Sequence, residues 1–286
     1  MWCFGRAAER PQIGNSLLHA PSVSDRNPQA REMADESMIR TLAAQAEAIW
    51  PQEEPLVRRY APASVLDVGC GTGEISSRIA ALFPQAQVTG VDIIESHLEL
   101  ARRRYEHPNL TFRQADAFEL PFERGAFDLT VCRHVLQAIP TPERVLAELV
   151  RVTRPGGHLH VVAEDYEMIF AAPARLDLSA FWHTGPRSYG AASGTDLFIG
   201  RNIHHHLRAL PVEDIEVHYA HVDTYRVPRE TFARIFEAWR DGYSETLAPH
   251  LGWPVERVRD HFEATIECIR TGFALWLVPI VTCRVV

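Results

Sequence analysis

Glycine, carboxylate and imidazole recur between residues 65 and 134 at intervals that suit a nucleotide-type pocket. The run Val65-Leu66-Asp67-Val68 is apolar around a single acid, and Gly69-Cys70-Gly71-Thr72-Gly73 follows it directly. Such a stretch reads as a buried strand, then a turn whose backbone comes within contact distance of a ligand, then a helix whose free amides face that ligand. Asp92, with Ile93 beside it, follows Gly73 by about 20 residues, the interval at which a carboxylate takes ribose hydroxyls in open α/β sheets. Asp116, next to Ala117, ends a further short apolar segment and can accept a hydrogen bond from an exocyclic amine. Arg133-His134 leaves a fourth segment toward the same edge.

Two groups stand out on the side where a second reactant would sit. Asp165, in Glu164-Asp165-Tyr166, either orients a nucleophile and takes its proton or serves as a cap or ion-pair partner. His134 either contacts a ligand and accepts a proton or is a satisfied strand-end histidine. His204-His205-His206 invites a metal, but consecutive helical residues lie about 100° apart, so three in a row cannot converge on one ion. No metal site is expected. Trp182 and Tyr189 fall in irregular sequence and are candidates to line a flat aromatic substrate, whereas Trp239 lies on a regular apolar stripe and reads as packing.

The elements that must position these residues alternate. Met38, Leu42, Gln45, Ala46 and Ile49 recur at helical spacing, and Trp50-Pro51 is expected to close that helix. Strands are expected over 63–68, 86–91, 110–113, 127–132 and 158–163, with helices over 74–83 and 95–105. Another helix is expected to start at Thr141-Pro142-Glu143, with the threonine hydroxyl as cap and proline in the first turn. Pro155-Gly156-Gly157 is expected to turn the chain into the fifth strand. Strands and helices in alternation indicate a parallel sheet covered on both faces.

Beyond residue 164 the pattern changes. The run from Gly185 to Gly194 reads as a mobile or ligand-covering loop, followed by a helix over 199–210 and a strand over 213–225. Two amphipathic helices follow, with Phe232, Ile235, Phe236 and Trp239 on one and Val258, Phe262, Ile266 and Ile269 on the other. A β-branched run over 275–286 returns to the sheet.

With 286 residues, 46% of them hydrophobic and 23% charged, the chain is long enough for a well-packed core. A formal net charge of -8 leaves no basic surplus for phosphates, so a small-molecule substrate is expected and a nucleic-acid partner is not. Five cysteines without a Cys-x-x-Cys pair indicate neither a disulfide frame nor a zinc site and point to a reducing compartment. No apolar run reaches the roughly 18 to 20 residues that span a bilayer, so no membrane partner is expected and the protein is assigned to the cytoplasm. Residues 1–33 read as an N-terminal extension or loose tail. The sequence leaves the oligomeric state open.

The blocks Val65 to Gly73, Val91-Asp92, Ala115-Asp116-Ala117 with Leu120-Pro121-Phe122, Phe127-Asp128-Leu129 with His134, and Leu149 to Gly157 occur together and in order. In combination they resemble the class I S-adenosylmethionine-dependent methyltransferases of the small-molecule type, the ubiquinone and menaquinone biosynthesis methyltransferases included, over about residues 60 to 163. The resemblance implies a Rossmann-like α/β fold with a doubly wound, mostly parallel sheet and an antiparallel last strand. It implies S-adenosylmethionine as cofactor, with methionine near Asp67, Gly69 and Cys70, ribose at Asp92 and Ile93, adenine at Asp116 and Ala117, and Gly71, Gly73, Arg133 and His134 around them.

Residues 34–60 are then a helical lid and 61–286 the methyltransferase domain, with cap insertions at about 165–210 and 228–272 that encode substrate choice. The activity implied is methyl transfer to nitrogen, oxygen or carbon of a small metabolite, with His134 and Asp165 as candidate catalytic groups. Two alternatives stay open: an S-adenosylmethionine-binding protein that catalyses a non-methylating reaction such as a cyclisation, and an NAD-dependent oxidoreductase. The Gly-x-Gly-x-Gly spacing and the absence of a Tyr-x-x-x-Lys pair disfavour the second.

Overall fold

Burial of apolar strands on both faces organises the molecule, and the computed structural model describes residues 26–28 and 36–286. The elements, in chain order, are α1 (Glu36–Val57), β1 (Ser64–Val68), α2 (Glu74–Leu82), β2 (Gln87–Asp92), α3 (Glu95–Arg104), β3 (Leu110–Gln114), β4 (Phe127–Arg133), α4 (Pro142–Val152), β5 (Thr153–Val162), β6 (Ile169–Ala172), α5 (Ser179–Ser193), α6 (Ile203–Leu207), β7 (Val212–Asp223), α7 (Arg229–Leu251), α8 (Val255–Thr271) and β8 (Phe273–Val285). One sheet runs β3-β2-β1-β4-β5-β8-β6, with β7 on the other side of β8. The strands from β3 to β5 are parallel, and β8 runs antiparallel to β5, β6 and β7. This is the mostly parallel, doubly wound sheet that the alternation predicts, with the reversed last strand that the resemblance implies. Strand order reverses beside β1, and in open sheets ligands bind beyond the carboxyl ends of the strands at that point.

Helical and strand boundaries agree with the periodicity except where local signals mislead. Pro51 does not end α1, which continues through Pro51 and Pro55 to Val57. Each proline removes one amide donor, but Ile49, Trp50, Glu53 and Val57 stay buried on successive turns and hold the helix together. Thr141 gives no side-chain cap to α4; its φ of 50° places it in the left-handed region. Pro155-Gly156-Gly157 lies inside β5, where the register against β4 shifts between Phe127 and Leu129.

The expected loop over 185–194 is the second half of α5, with Pro186 inside it and Gly194 as its left-handed end. Phe181, Trp182 and Tyr189 bury one face of α5 in the core, which overrides its glycines. The helix expected over 199–210 shrinks to a 3-10 turn at Ile199–Arg201 and the short α6. The insertion that begins at residue 165 is not wholly helical, because β6 pairs with the start of β8. The expected N-terminal tail lies almost entirely outside the described residues. Among the described residues, no helix is long and apolar enough to cross a membrane.

The helices α5, α7 and α8 share one apolar cluster with α1 and β8, centred on Phe232, Phe236, Trp239, Phe262 and Trp276. Trp239 and Trp276 meet edge to face at 5.2 Å, and α7 thereby rests on the sheet above the strand ends. Beneath it, α1 is pinned by a charge. Glu53 is fully buried and takes Arg133 Nη2 of β4 at 2.9 Å and His160 Nε2 of β5 at 3.1 Å. Burial pushes the Glu53 carboxyl up, but Arg133 and His160 together outweigh it and hold the group down at about 2.

A carboxyl lowered in the folded state stabilises above its unfolded value and loses that contribution as pH falls. Glu53 is therefore expected to contribute about 3 kcal/mol at neutral pH, lost between about pH 4.5 and 2. Glu53→Gln leaves Arg133 buried without its counter-charge and is expected to cost about 3–5 kcal/mol at pH 7. The gap between variant and wild type narrows toward pH 3. Urea unfolding at the two pH values checks this, and a gap independent of pH would contradict it.

Candidate functional site

The carboxyl ends of β1, β2, β4 and β5 open into one cavity. Gly69 and Gly71 form its floor with φ of 72° and 53°. A Cβ on Gly69 would lie 2.2 Å from Val135 Cγ2, and one on Gly71 2.8 Å from Leu42 Cδ1, so both positions need glycine for space as well as conformation. Gly73 sits at the left-handed N-terminal end of α2. The loop is braced from β2: Gly69 and Cys70 amides donate to Val91 O at 2.8 and 2.9 Å. Gly71 N donates to Asp92 Oδ2 at 2.8 Å, and Ile94 N to Asp92 Oδ1 at 2.9 Å. Burial raises the Asp92 carboxyl against these amides.

Gly69, Gly71, Asp92, Ile93, Asp116, Ala117, Arg133 and His134, all singled out from the sequence, line this cavity together. Asp67 and Cys70 line a narrower cleft that shares Gly69, Arg133 and His134 with it. Asp67 is buried and accepts from Ser76 Oγ at 2.6 Å. Burial pushes its carboxyl to about 6, opposed by Ser76 and the Arg133 charge. Burial likewise raises the Cys70 thiol well above its usual range, which keeps it uncharged.

Asp116 accepts from Phe118 N at 2.9 Å and pairs with Arg26 at 2.7 Å, so a residue of the N-terminal segment closes this end of the cavity. His134 takes a φ of 56°, a sparsely populated region for a non-glycine residue. Its amide donates to Val162 O at 2.8 Å, and Gln137 Nε2 donates to its carbonyl at 2.7 Å. Both its ring nitrogens and Arg133 Nε are buried without a hydrogen-bond partner among the described residues. Buried donors and acceptors left open at a strand end mark a place for a ligand.

Asp165 lies elsewhere. It is fully buried, held by Arg201 through both carboxylate oxygens, and caps the following turn by accepting from Glu167 N at 3.1 Å. It does not line the cavity. The neighbouring Glu164 does, a residue the sequence reading passed over. Gln45 Nε2 donates to Glu164 Oε1 at 2.7 Å, and Tyr166 Oη donates to Oε2 at 3.0 Å. His134 Nδ1 lies 3.3 Å from Oε1. Burial and the adjacent Glu164 raise Tyr166 well above the usual phenol range, so it stays a donor.

Strand alternation carries the missing signal. His160, Val162 and Glu164 share one face, so Glu164 turns to the α1 side with His160 while Asp165 points the other way. Trp239 and Tyr243 of α7 complete the wall. They also border a small apolar void with Trp182 and Tyr189. The His204-His205-His206 run lies on α6 with His204 and His205 exposed, and no cluster of metal-ligating groups occurs among the described residues.

Comparisons with known proteins agree with this arrangement. The family described as "Methyltransferase domain" matches residues 66–161. A phthiotriol/phenolphthiotriol dimycocerosates methyltransferase of Mycobacterium leprae is 38% identical over 95 residues, 33% of this chain and 35% of that protein. A demethylmenaquinone methyltransferase of Symbiobacterium thermophilum is 28% identical over 176 residues, 57% of this chain and 69% of that protein. The chain thus spans only about a third of the length of relatives such as the first.

Among solved structures, a Haemonchus contortus phosphoethanolamine N-methyltransferase in complex with phosphomonomethylethanolamine and S-adenosylhomocysteine superposes with a TM-score of 0.58. It is 19% identical, over 92% of this chain and 60% of that one. Geranyl diphosphate C-methyltransferase of Streptomyces coelicolor gives a TM-score of 0.52 at 14% identity, over 82% and 79%. These two share the fold. Residues 66–161, which carry the glycine loop and the strand-end acids Asp92 and Asp116, thus match a methyltransferase domain, and the sheet with its reversed last strand has the fold of these two structures.

Proposed function

We propose that this protein transfers a methyl group from S-adenosylmethionine to a small metabolite. The observation that carries the proposal is the convergence of the glycine loop, Asp92, Asp116 and the open donors of Arg133 on one cavity beside the strand-order reversal. Each part of the cofactor has a matching group. The Gly69–Gly71 backbone leaves room for the methionine portion, and Arg133 Nε, buried without a hydrogen-bond partner among the described residues, is a donor for its carboxylate. Asp92 accepts from the ribose hydroxyls, and Asp116 with Ala117 faces the adenine, Arg26 yielding its place on Asp116 or covering the ring.

The cofactor supplies an electrophilic methyl carried on a sulfonium. The chain's own residues then need to align the acceptor, exclude water and hold a proton. Such transfers depend mainly on proximity and alignment. The cap helices α5, α7 and α8 over the strand ends supply the water-excluding roof. His134, held in a constrained backbone geometry beside Glu164, is placed to take a proton from the acceptor.

Isothermal titration with S-adenosylmethionine and S-adenosylhomocysteine is expected to give binding of both at micromolar levels or tighter. Lack of any binding would remove the proposal. Asp92→Asn, which preserves the side-chain shape while discharging it, is expected to weaken both ligands by about 1.5–3 kcal/mol through lost charge-assisted hydrogen bonds. Unchanged affinity in that variant would place the ribose elsewhere.

A further inference from the structure

The charges around the cavity identify the kind of acceptor, an inference that rests on the methyltransfer proposed above. The chain contains no lysine, so arginine supplies every fixed positive side-chain charge. Two arginines line the cavity and both already face a carboxylate: Arg26 is 2.7 Å from Asp116 and Arg133 is 2.9 Å from Glu53. Glu164 has neither. It is 3% exposed, and its two oxygens are held by the uncharged donors Gln45 and Tyr166, with the His134 ring beside them. A buried carboxylate without a fixed counter-charge is costly unless something charged arrives to meet it.

The wall next to Glu164 is Tyr166, Trp239 and Tyr243, aromatic side chains of the kind that accept a cation against their faces. Arg133 is committed to Glu53 and, in the reading above, to the cofactor carboxylate, and Arg26 to the adenine end, so among the described residues no further fixed positive charge lines the cavity to receive an anionic acceptor. We propose that the methyl acceptor is an amine on an apolar or aromatic body, bound as its ammonium form by Glu164 beneath the aromatic wall.

The transfer balances with the groups that line the cavity. The ammonium passes one proton to the Glu164–His134 pair, and the freed nitrogen lone pair forms the new N–C bond. The C–S bond breaks with its electron pair going to sulfur, which neutralises the sulfonium, and the product leaves as a methylated ammonium. Glu164 thus holds the acceptor and, with His134, receives its proton.

Three probes with one body and three charges test this against the protein loaded with S-adenosylhomocysteine: 2-phenylethylamine, 2-phenylethanol and 3-phenylpropionate. Titration calorimetry is expected to show the amine binding at least ten-fold more tightly than the alcohol, and no measurable binding of the carboxylate. Glu164→Gln keeps the contacts to Gln45 and Tyr166 and is expected to abolish the preference for the amine while S-adenosylhomocysteine affinity stays within two-fold. Alcohol or carboxylate binding as tight as the amine, no amine binding at millimolar concentration, or a preference that survives Glu164→Gln would overturn the proposal. A Glu164→Gln variant that loses S-adenosylmethionine alone, with the amine preference intact, would reassign the carboxylate to the sulfonium and also overturn it. Failure to bind S-adenosylhomocysteine would strike the underlying methyltransfer instead, and is told apart by that titration.

Discussion

The buried ion pair between Glu53 and Arg133 fixes the relation between α1 and the sheet, and the site follows from it. A carboxylate with no solvent contact must keep its counter-charge, so α1 has to lie where Glu53 meets both Arg133 on β4 and His160 on β5. Two turns earlier on the same face, Gln45 then falls beside Glu164, and Leu42 and Thr41 fall over the glycine loop. One charge pair therefore sets the depth and roof of the cavity at once. It also orients Arg133, whose remaining donors stay open toward the ligand side.

The second constraint is apolar. Along β8, Ala274, Trp276, Val278 and Ile280 lie under α7 and α8, and α5 packs against the same cluster. The long helical excursion between β7 and β8 does not separate them, since Val212 to Asp223 pair antiparallel with Val285 to Leu275. The excursion instead carries Trp239 and Tyr243 over the strand ends, so that aromatics lining the cavity are part of the core under the inserted helices. The same side chains pack and line the cavity there, which is why Trp239 looked like packing alone in the sequence.

The parallel sheet was legible because its strands are continuous apolar runs and its helices keep a clear 3.6-residue period. The strand-end residues of the cavity were legible for a local reason: Gly69, Gly71, Asp92 and Asp116 sit at strand ends, and strand ends follow from the periodicity. The wall around Glu164 was not. Glu53, Gln45 and Glu164 matter through partners 80 to 119 residues away, a separation no spacing rule reaches. Asp165 drew attention as the acid after β5, but strand parity turns it toward Arg201 and gives the cavity to Glu164. Local signals misled where tertiary burial outweighed them, as in α1 across Pro51 and α5 across its glycines.

Movement of a methyl group from the cofactor to a small molecule is the decisive property of this protein. Incubation of the protein with S-adenosylmethionine labelled in its methyl group and a pool of small amine and hydroxyl metabolites, followed by mass spectrometry, measures this directly. The predicted result is one labelled small-molecule product appearing in equal amount with S-adenosylhomocysteine. Binding of the cofactor with neither labelled product nor S-adenosylhomocysteine above the protein-free control, across the pool, would contradict it.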